Sequence, residues 1–513
     1  MKANKVAVLA ALGMLFTSVS VYSLTPAGGV RFAGDDPRPI ATGTGGRLEA
    51  ITESTDAPVT SARFTAGSTL LIEGRLGHER LPLAKSGETF VMLEVRSQSG
   101  VKAAPAPANL SIVIDRSGSM KGSRIRNAIN AASAAVSRLR DGDVVSVVTF
   151  DTTTQVAVPP TSIDAQSRGR VDAGIRAITL GGDTCISCGI EEGMALLEQT
   201  PGRVSRMIVL SDGDANHGIR DVPGFRAVAQ RAMSRGIPVT TIGVDVDYNE
   251  KIMAAIAQDS NGRHYFVAND GDLGRVFEAE AEGVISAVAS SAEVAIDLAP
   301  GVELDHVFDR SFRRAGGRIT VPLGTFSDGD VKTILLKVRV PSDVEGERAV
   351  ASVNLSYRDL ARSGDGHAEG QLALAVTRAG GEGALDSVVN GRVQRSETAA
   401  ALKDANGLFE QGRFAEARRK LESREQALRS AADVAKRDAP AAKAKSVEAD
   451  FQNQIAAIDG ANAGFAAAPA AAPDAQGFAA PAASAVPPPA PQATRAGKSA
   501  VKSNQQRAVD LAF

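Results

Sequence analysis

The chain has 513 residues, with 57 Lys and Arg against 59 Asp and Glu, a formal net charge of −2. That length exceeds a single hydrophobic core and calls for about two to four domains, and the charge balance excludes the basic excess of a nucleic-acid-binding protein. Trp is absent and aromatics make up 4% of the chain, so its cores rest on Val, Ile, Leu and Ala.

The N-terminus reads as an export segment. Lys2 and Lys5 precede an uncharged run from Val6 to Leu24, and Pro26 ends the pattern. A basic start followed by an apolar run marks residues 1–24 as a secretory signal peptide. The same run is long enough to cross a bilayer as an uncleaved anchor; a buried helix is the third reading. Either of the first two places the rest of the chain outside the cytoplasm: periplasmic, on the cell surface or secreted, with residues 6–24 as the membrane attachment in the anchor reading alone. No cysteine lies near residue 20, which excludes a lipoprotein, and no second apolar span follows. Residues 25–60, rich in Gly, Pro, Thr and Asp, read as a flexible leader.

Residues 61–100 are strand-like, with "STLLIEGRL" and "ETFVMLEVRS" between turn signals. "KAAPAPA" at 102–108 is a short stiff linker. From 109 to 288 strands alternate with helices, and several strands, such as "NLSIVID" and "RMIVLSD", are continuous apolar runs. This predicts an α/β fold: a doubly wound, mostly parallel sheet covered on both faces. "TQVAVPPT", stopped by Pro159, reads as an edge strand. Residues 291–378 return to strands without helical spacing. Two strands before the α/β segment are too few to fold alone, so they complete a β-sandwich with the later ones, and the α/β domain is inserted in it. Residues 384–459 predict a helical hairpin turned at Gly412, with no second copy to suggest a repeat array. Residues 461–513 read as an Ala/Pro-rich disordered tail.

In a parallel sheet of this kind ligands bind beyond the carboxyl ends of the strands. "IVIDRSGSMKGSRI" (112–125) ends a buried strand on Asp115 and supplies Ser117 and Ser119. "LGGDTCISCG" (180–189) offers Thr184, and "VLSDGDAN" (209–216) ends another strand on Asp212. Two carboxylates, three hydroxyls and water are hard oxygen donors. They suit Mg²⁺, and equally Mn²⁺ or Ca²⁺, rather than zinc, which prefers nitrogen and sulfur. Alone, the first motif could be a turn and helix N-cap; the company of Thr184 and Asp212 argues for the ion. Asp214, Asn216 and His217 read as loop-capping residues, and Asp151 and Asp183 as acids behind the ligands. "GVDVDYNEK" (243–251) reads as a second cation site or, more simply, as an acid-rich helix N-terminus.

Asp-x-Ser-x-Ser after the first strand, Thr184 in a Gly-Gly-Asp-Thr loop and Asp212 in "LSDGD" resemble the von Willebrand factor type A domain with a complete metal-ion-dependent adhesion site, in an exported protein of bacterial type. The resemblance covers about residues 109 to 288. It implies that Asp115, Ser117, Ser119, Thr184 and Asp212 touch the ion directly or through water, and that one metal position is left for an acidic residue of a partner. The flanking sandwich resembles, in architecture only, the hybrid domain that brackets such a module in integrin β subunits.

The chain departs from that family at Cys185 and Cys188, the only two cysteines, where the family has Asn or small residues. Cys-x-x-Cys at a helix start favours redox chemistry, and two cysteines cannot close a zinc site. Four readings stand: a local disulfide shaping the Thr184 loop, a thiol switch, a dithiol enzyme, or a reduced buried pair. No Ser-His-Asp nucleophile elbow, His-Glu-x-x-His or phosphate-cradling loop occurs. The sequence therefore predicts an extracytoplasmic, non-enzymatic binding protein. It would use a divalent cation to engage an acidic group on a protein or cell-surface partner, with no nucleic-acid role. The second reading is a redox-gated or thiol–disulfide active protein working through Cys185 and Cys188; the third is a scaffold that the ion merely stiffens.

Overall fold

A computed structural model describes residues 61–98, 100, 106–378, 383–438, 443–466 and 494–512. The expected signal or anchor (1–24), the leader (25–60) and the stretch 467–493 of the expected tail lie outside the described residues. Among the described residues no helix is long and apolar enough to cross a membrane.

Four strands open the fold: β1 (Arg63–Gly67), β2 (Leu70–Leu76), β3 (Arg80–Pro82) and β4 (Ser86–Ser97). The chain then builds an α/β domain with strands β5 (Ala108–Asp115), β6 (Val144–Phe150), β7 (Thr154–Ser162), β8 (Val204–Ser211), β9 (Val239–Val244) and β10 (His264–Val267). Its helices are α1 (Ser123–Arg138), α2 (Ser167–Arg176), α3 (Ile186–Glu198), α4 (Val222–Ser234), α5 (Glu250–Asp259) and α6 (Leu273–Ile285). The sheet order is β10-β9-β8-β5-β6-β7. Every pair is parallel except β6–β7. All eight residues of β5 are buried because strands flank it on both sides and helices cover both faces. Pro159 and Pro160 fall in β7, an edge strand, where a missing N–H costs no ladder bond.

Seven strands follow: β11 (Ala287–Leu298), β12 (Glu303–Phe308), β13 (Arg313–Ala315), β14 (Arg318–Ser327), β15 (Val331–Pro341), β16 (Gly346–Asp359) and β17 (Gly364–Thr377). They combine with the first four into two sheets, β1-β2-β4-β15-β12 and β13-β14-β11-β16-β17-β3. The antiparallel pairing of β4 with β15 ties the segment before the α/β domain to the segment after it. The domain thus leaves the sandwich after β4 and returns at β11. Leu70, Ile72, Leu93 and Val95 share the sandwich core with Ile296, Phe326, Leu336 and Leu355.

The C-terminal third is helical as expected, and its helices extend beyond the hairpin at 384–459. Helices α7 (Ser387–Glu410) and α8 (Phe414–Asp438) do turn at Gly412, whose φ of 76° favours glycine. They are joined, however, by α9 (Ala444–Ala466) and α10 (Arg495–Ala512), so the hairpin at 384–459 is corrected to part of a four-helix assembly. The disordered-tail reading of 461–513 is corrected at both ends, since 461–466 continue α9 and 495–512 are helical. Phe465 of α9 and Val501, Ala508 and Ala512 of α10 are buried with Leu402 and Phe409 of α7. Alanine-rich helices carry little periodic signal, and packing on neighbours supplies the stability that propensity does not.

His264 opens β10 fully buried, its Nδ1 3.0 Å from Thr241 Oγ1 and its Nε2 3.4 Å from the Tyr248 hydroxyl. Burial lowers its pKa to about 4; the Glu250 carboxylate opposes that shift and Lys502 adds to it. The folded value lies below the usual unfolded value near 6.5, so the unfolded chain takes up the proton first as pH falls. This contribution to stability is complete above pH 6.5 and is lost on acidification through pH 4, up to about 3 kcal/mol. Urea midpoints of wild type should fall steeply over that window and those of His264→Gln less so; parallel curves would refute the assignment.

Candidate functional site

Strand β5 ends on Asp115 and neighbouring β8 ends on Ser211, so the carboxyl ends of two parallel strands open onto one crevice. Asp115 is fully buried; its Oδ1 accepts the Ser117 N–H at 2.8 Å and its Oδ2 accepts the Ser211 hydroxyl at 2.5 Å. Burial raises the Asp115 pKa to about 6 against the hydrogen bonds from Ser211 and Ser117, and the charge of Asp212 adds to the rise. The hydroxyls of Ser117 and Ser119 lie 2.9 Å apart, and Ser119 donates to Asp212 Oδ1 at 2.6 Å. Four of the five expected ligands therefore form one continuous hydrogen-bonded network, joined at Asp115 through the Ser117 N–H.

Thr184 approaches from the loop before α3. It is buried, its N–H donates to Asn216 Oδ1 at 2.8 Å, and its carbonyl accepts the N–H groups of Asn216 and His217 at 3.2 Å. A Cβ added at Gly213 would lie 3.4 Å from Thr184 Oγ1 and 3.5 Å from Ser119 Oγ, which places both hydroxyls around that glycine. The Thr184 loop is also pinned to the first motif, with the Gly181 N–H on Arg116 O at 2.7 Å and the Gly118 N–H on Gly182 O at 3.2 Å. Asp151 stands behind it. Its carboxylate takes the N–H groups of Thr153 and Gly182 and pairs with Arg116 at 2.8 Å. Asp183 is exposed and only its backbone is engaged, by Thr152 Oγ1. Asp214 accepts from Asn249 Nδ2 at 3.0 Å.

Sequence reasoning missed Ser211 and Arg124 here, and took Asp245 only as one acid of "GVDVDYNEK". Ser211 holds the second oxygen of Asp115. Arg124, on the first turn of α1, donates to Asp212 Oδ2 at 2.6 Å and also pairs with Asp245. Asp245, with a left-handed φ of 63°, takes Arg124 on one oxygen and Arg495 of α10 on the other at 2.5 Å. These partners and the Val246 N–H hold its pKa down although burial pushes it up. In "GVDVDYNEK", Asn249 caps α5 through the Ile252 N–H, and Asp245, Asp247 and Glu250 each meet a basic side chain. The segment is therefore the acid-rich helix N-terminus, with Asn249 as the cap and Glu250 in the first turn of α5, and its acids are paired with basic side chains rather than left bare for a second cation. The only sequence signal for these pairs was charge sign.

Among the described residues no cluster of three His, Cys, Asp or Glu side chains could hold a metal. The donor set here is of another kind, two carboxylates and three hydroxyls, which fits a hard divalent ion completed by water. The buried carboxylates of Asp115 and Asp212 call for a nearby cation, and the guanidinium of Arg124 supplies part of that charge. Asp212, Ser117 and Ser119 would hold the ion, with Asp115 and Thr184 bracing or reaching it through water.

Cys185 occupies the N-cap position of α3, and its sulfur lies 1.98 Å from that of Cys188, at bonding distance. Gly218 (φ 69°) presses on this turn: an added Cβ would stand 2.6 Å from both Cys185 Sγ and Ser187 Oγ. The Ile219 N–H donates to Ser187 Oγ at 3.1 Å. The cysteine turn thus joins the loop carrying Thr184 to the loop that follows Asp212.

Residues 109–279 match the family model of the von Willebrand factor type A domain. An uncharacterized protein of Synechocystis is 24% identical over 268 residues, 50% of this chain and 62% of that protein. Inter-alpha-trypsin inhibitor heavy chain H1 of Sus scrofa is 23% identical over 245 residues, 46% of this chain and 27% of that protein. The match thus spans less than two thirds of either relative. Among solved structures, a von Willebrand factor type A protein from Catenulispora acidiphila superposes with a TM-score of 0.59 at 16% identity, covering 79% of this chain and 91% of that one. The ArnB paralog VWA2 from Sulfolobus acidocaldarius gives 0.52 at 16% identity, covering 76% and 98%. At that identity the likeness is one of fold.

Proposed function

Residues 109–279 being a von Willebrand factor type A domain, we propose that the protein is a non-enzymatic, extracytoplasmic binding protein whose divalent cation, Mg²⁺ or a similar ion, takes a carboxylate of a protein or surface partner as its last ligand. The observation that carries this reading is the hydrogen-bonded network from Asp115 through the Ser117 N–H and the Ser117 and Ser119 hydroxyls to Asp212 at the carboxyl edge of the sheet. The ion supplies a Lewis-acidic anchor for the partner's carboxylate. The chain's own part is to hold the hydroxyls together and keep Asp115 dry, so that the ion stays short of one ligand. One charge-to-metal contact gives little affinity by itself. Specificity therefore comes from the loops around it, including exposed Leu180 beside the Thr184 loop. Export rests on the basic and apolar pattern of residues 1–24.

The test passes the full chain over an array of short peptides, each paired with its Asp→Asn or Glu→Gln form, in Mg²⁺ and in chelator. Retention that needs both the metal and the carboxylate is expected. Retention indifferent to chelator would overturn the reading. The redox reading has one observation in its favour, the cysteine pair beside Thr184. It predicts that reductant, rather than chelator, governs retention.

A further inference from the structure

Helix α10 lies beside the proposed metal centre and is wired to it. Arg495 binds Asp245 Oδ1 at 2.5 Å, Asp245 Oδ2 holds Arg124, and Arg124 donates to Asp212 Oδ2 at 2.6 Å. Four side chains from four separate parts of the sequence thus form one alternating charge relay that ends on a candidate metal ligand. Two more side chains seat the same helix. Lys498 reaches Asp247 at 3.2 Å, and Lys502 pairs with Glu250, donates to Tyr248 O at 2.7 Å and lies 5.0 Å from the centroid of the Tyr248 ring. The contacts are graded. Lys502 is 10% exposed, whereas Arg495 and Lys498 are 71% and 51% exposed, so the first turns of α10 are the part that can let go.

The sign of the coupling follows from Asp245. While Arg495 occupies one of its oxygens, Asp245 has only the other for Arg124, and Arg124 stays on Asp212. Without Arg495, Asp245 Oδ1 keeps only the Val246 N–H at 2.8 Å and has its other lone pair open to the guanidinium, so that Arg124 can take both oxygens in a two-pronged pair and is drawn off Asp212. A dication next to Asp212 repels Arg124 toward Asp245 and so competes with Arg495 for that carboxylate. We propose that the first turns of α10 and a divalent cation at the Asp115–Asp212 centre oppose one another through Arg124 and Asp245, so that the chain's own C-terminal helix sets the affinity of the centre. The inference rests on the metal reading above.

The test uses the full chain, comparing wild type with Arg495→Glu/Lys498→Glu and with the milder Arg495→Gln. Mg²⁺ and Mn²⁺ affinity is read by calorimetry, and deuterium uptake of residues 494–502 is read with and without the ion. The charge-reversed variant should bind the ion about 5- to 10-fold more tightly, the low end of ordinary coupling, and Arg495→Gln should shift the same way. Because coupling is reciprocal, the ion should raise uptake over 494–502 in wild type and leave it unchanged in Asp212→Ala. Equal affinities with unchanged uptake would overturn the inference and leave the metal centre standing. If neither wild type nor variant takes up the ion, the metal reading fails and the inference with it.

Discussion

Asp212→Ala is expected to lose Mg²⁺ and Mn²⁺ binding by about 100-fold or more, and Arg124→Ala to move affinity the opposite way. Asp212 is fully buried, and its two oxygens meet the Ser119 hydroxyl and the Arg124 guanidinium. Removing it deletes the one carboxylate that both touches a candidate hydroxyl ligand and lies opposite Asp115 across the crevice. Arg124 is the internal competitor. A dication about 5 Å from a guanidinium is repelled by about 7 kcal/mol at an effective dielectric near 20 if neither moves, so the arginine must yield when the ion enters. Without Arg124 that cost vanishes, and the metal-free protein keeps two buried carboxylates with less compensation. Arg124→Ala should therefore melt lower in chelator and gain more from Mg²⁺ than wild type does, by ligand linkage. Calorimetry and melting curves with and without the ion read both effects. Unchanged affinity in both variants would contradict the geometry.

Glu280→Ala is expected to cost about 3–5 kcal/mol of stability, a large share of what such a domain has. Glu280 of α6 is fully buried. Its Oε2 accepts from Arg206 at 2.8 Å and Thr240 at 2.7 Å, and its Oε1 accepts from Tyr265 at 2.8 Å. Burial pushes the carboxyl pKa up, but Arg206 and Arg263 hold it below the usual range. Truncation leaves the largely buried Arg206 without its counter-ion. The double replacement Arg206→Met/Glu280→Leu removes both charges and should recover much of the loss. Denaturant unfolding of the two variants separates the cost of an orphaned charge from the worth of the pair; equal losses would show that packing rather than charge carries the effect.

The sequence displayed the α/β domain because its strands are buried on both faces and read as apolar runs; "NLSIVID" lies wholly within β5. The first motif stood out only in company: alone it reads equally as a turn and helix N-cap, and Thr184 and Asp212 at the ends of other elements turned it toward an ion. Its electrostatic partners did not stand out. Arg124 lies 88 positions from Asp212 and 121 from Asp245, and a charge on an opening helical turn looks the same whether it meets solvent or a carboxylate. Helix α10 escaped because its apolar residues are few and small; Val501, Ala508 and Ala512 become a stripe only against Leu402 and Phe409. The short strand β3 pairs in parallel with β17 over three residues, a contact that no turn or periodicity announces.

The central claim is that an ion sits among Asp115, Ser117, Ser119, Thr184 and Asp212, and anomalous diffraction from crystals grown in Mn²⁺ tests it most directly. The account predicts one strong anomalous peak within coordination distance of the Ser117 and Ser119 hydroxyls, on the Asp212 side of the crevice, with Arg124 turned to Asp245. A crevice without a peak at saturating Mn²⁺, with Arg124 still bonded to Asp212, would contradict it.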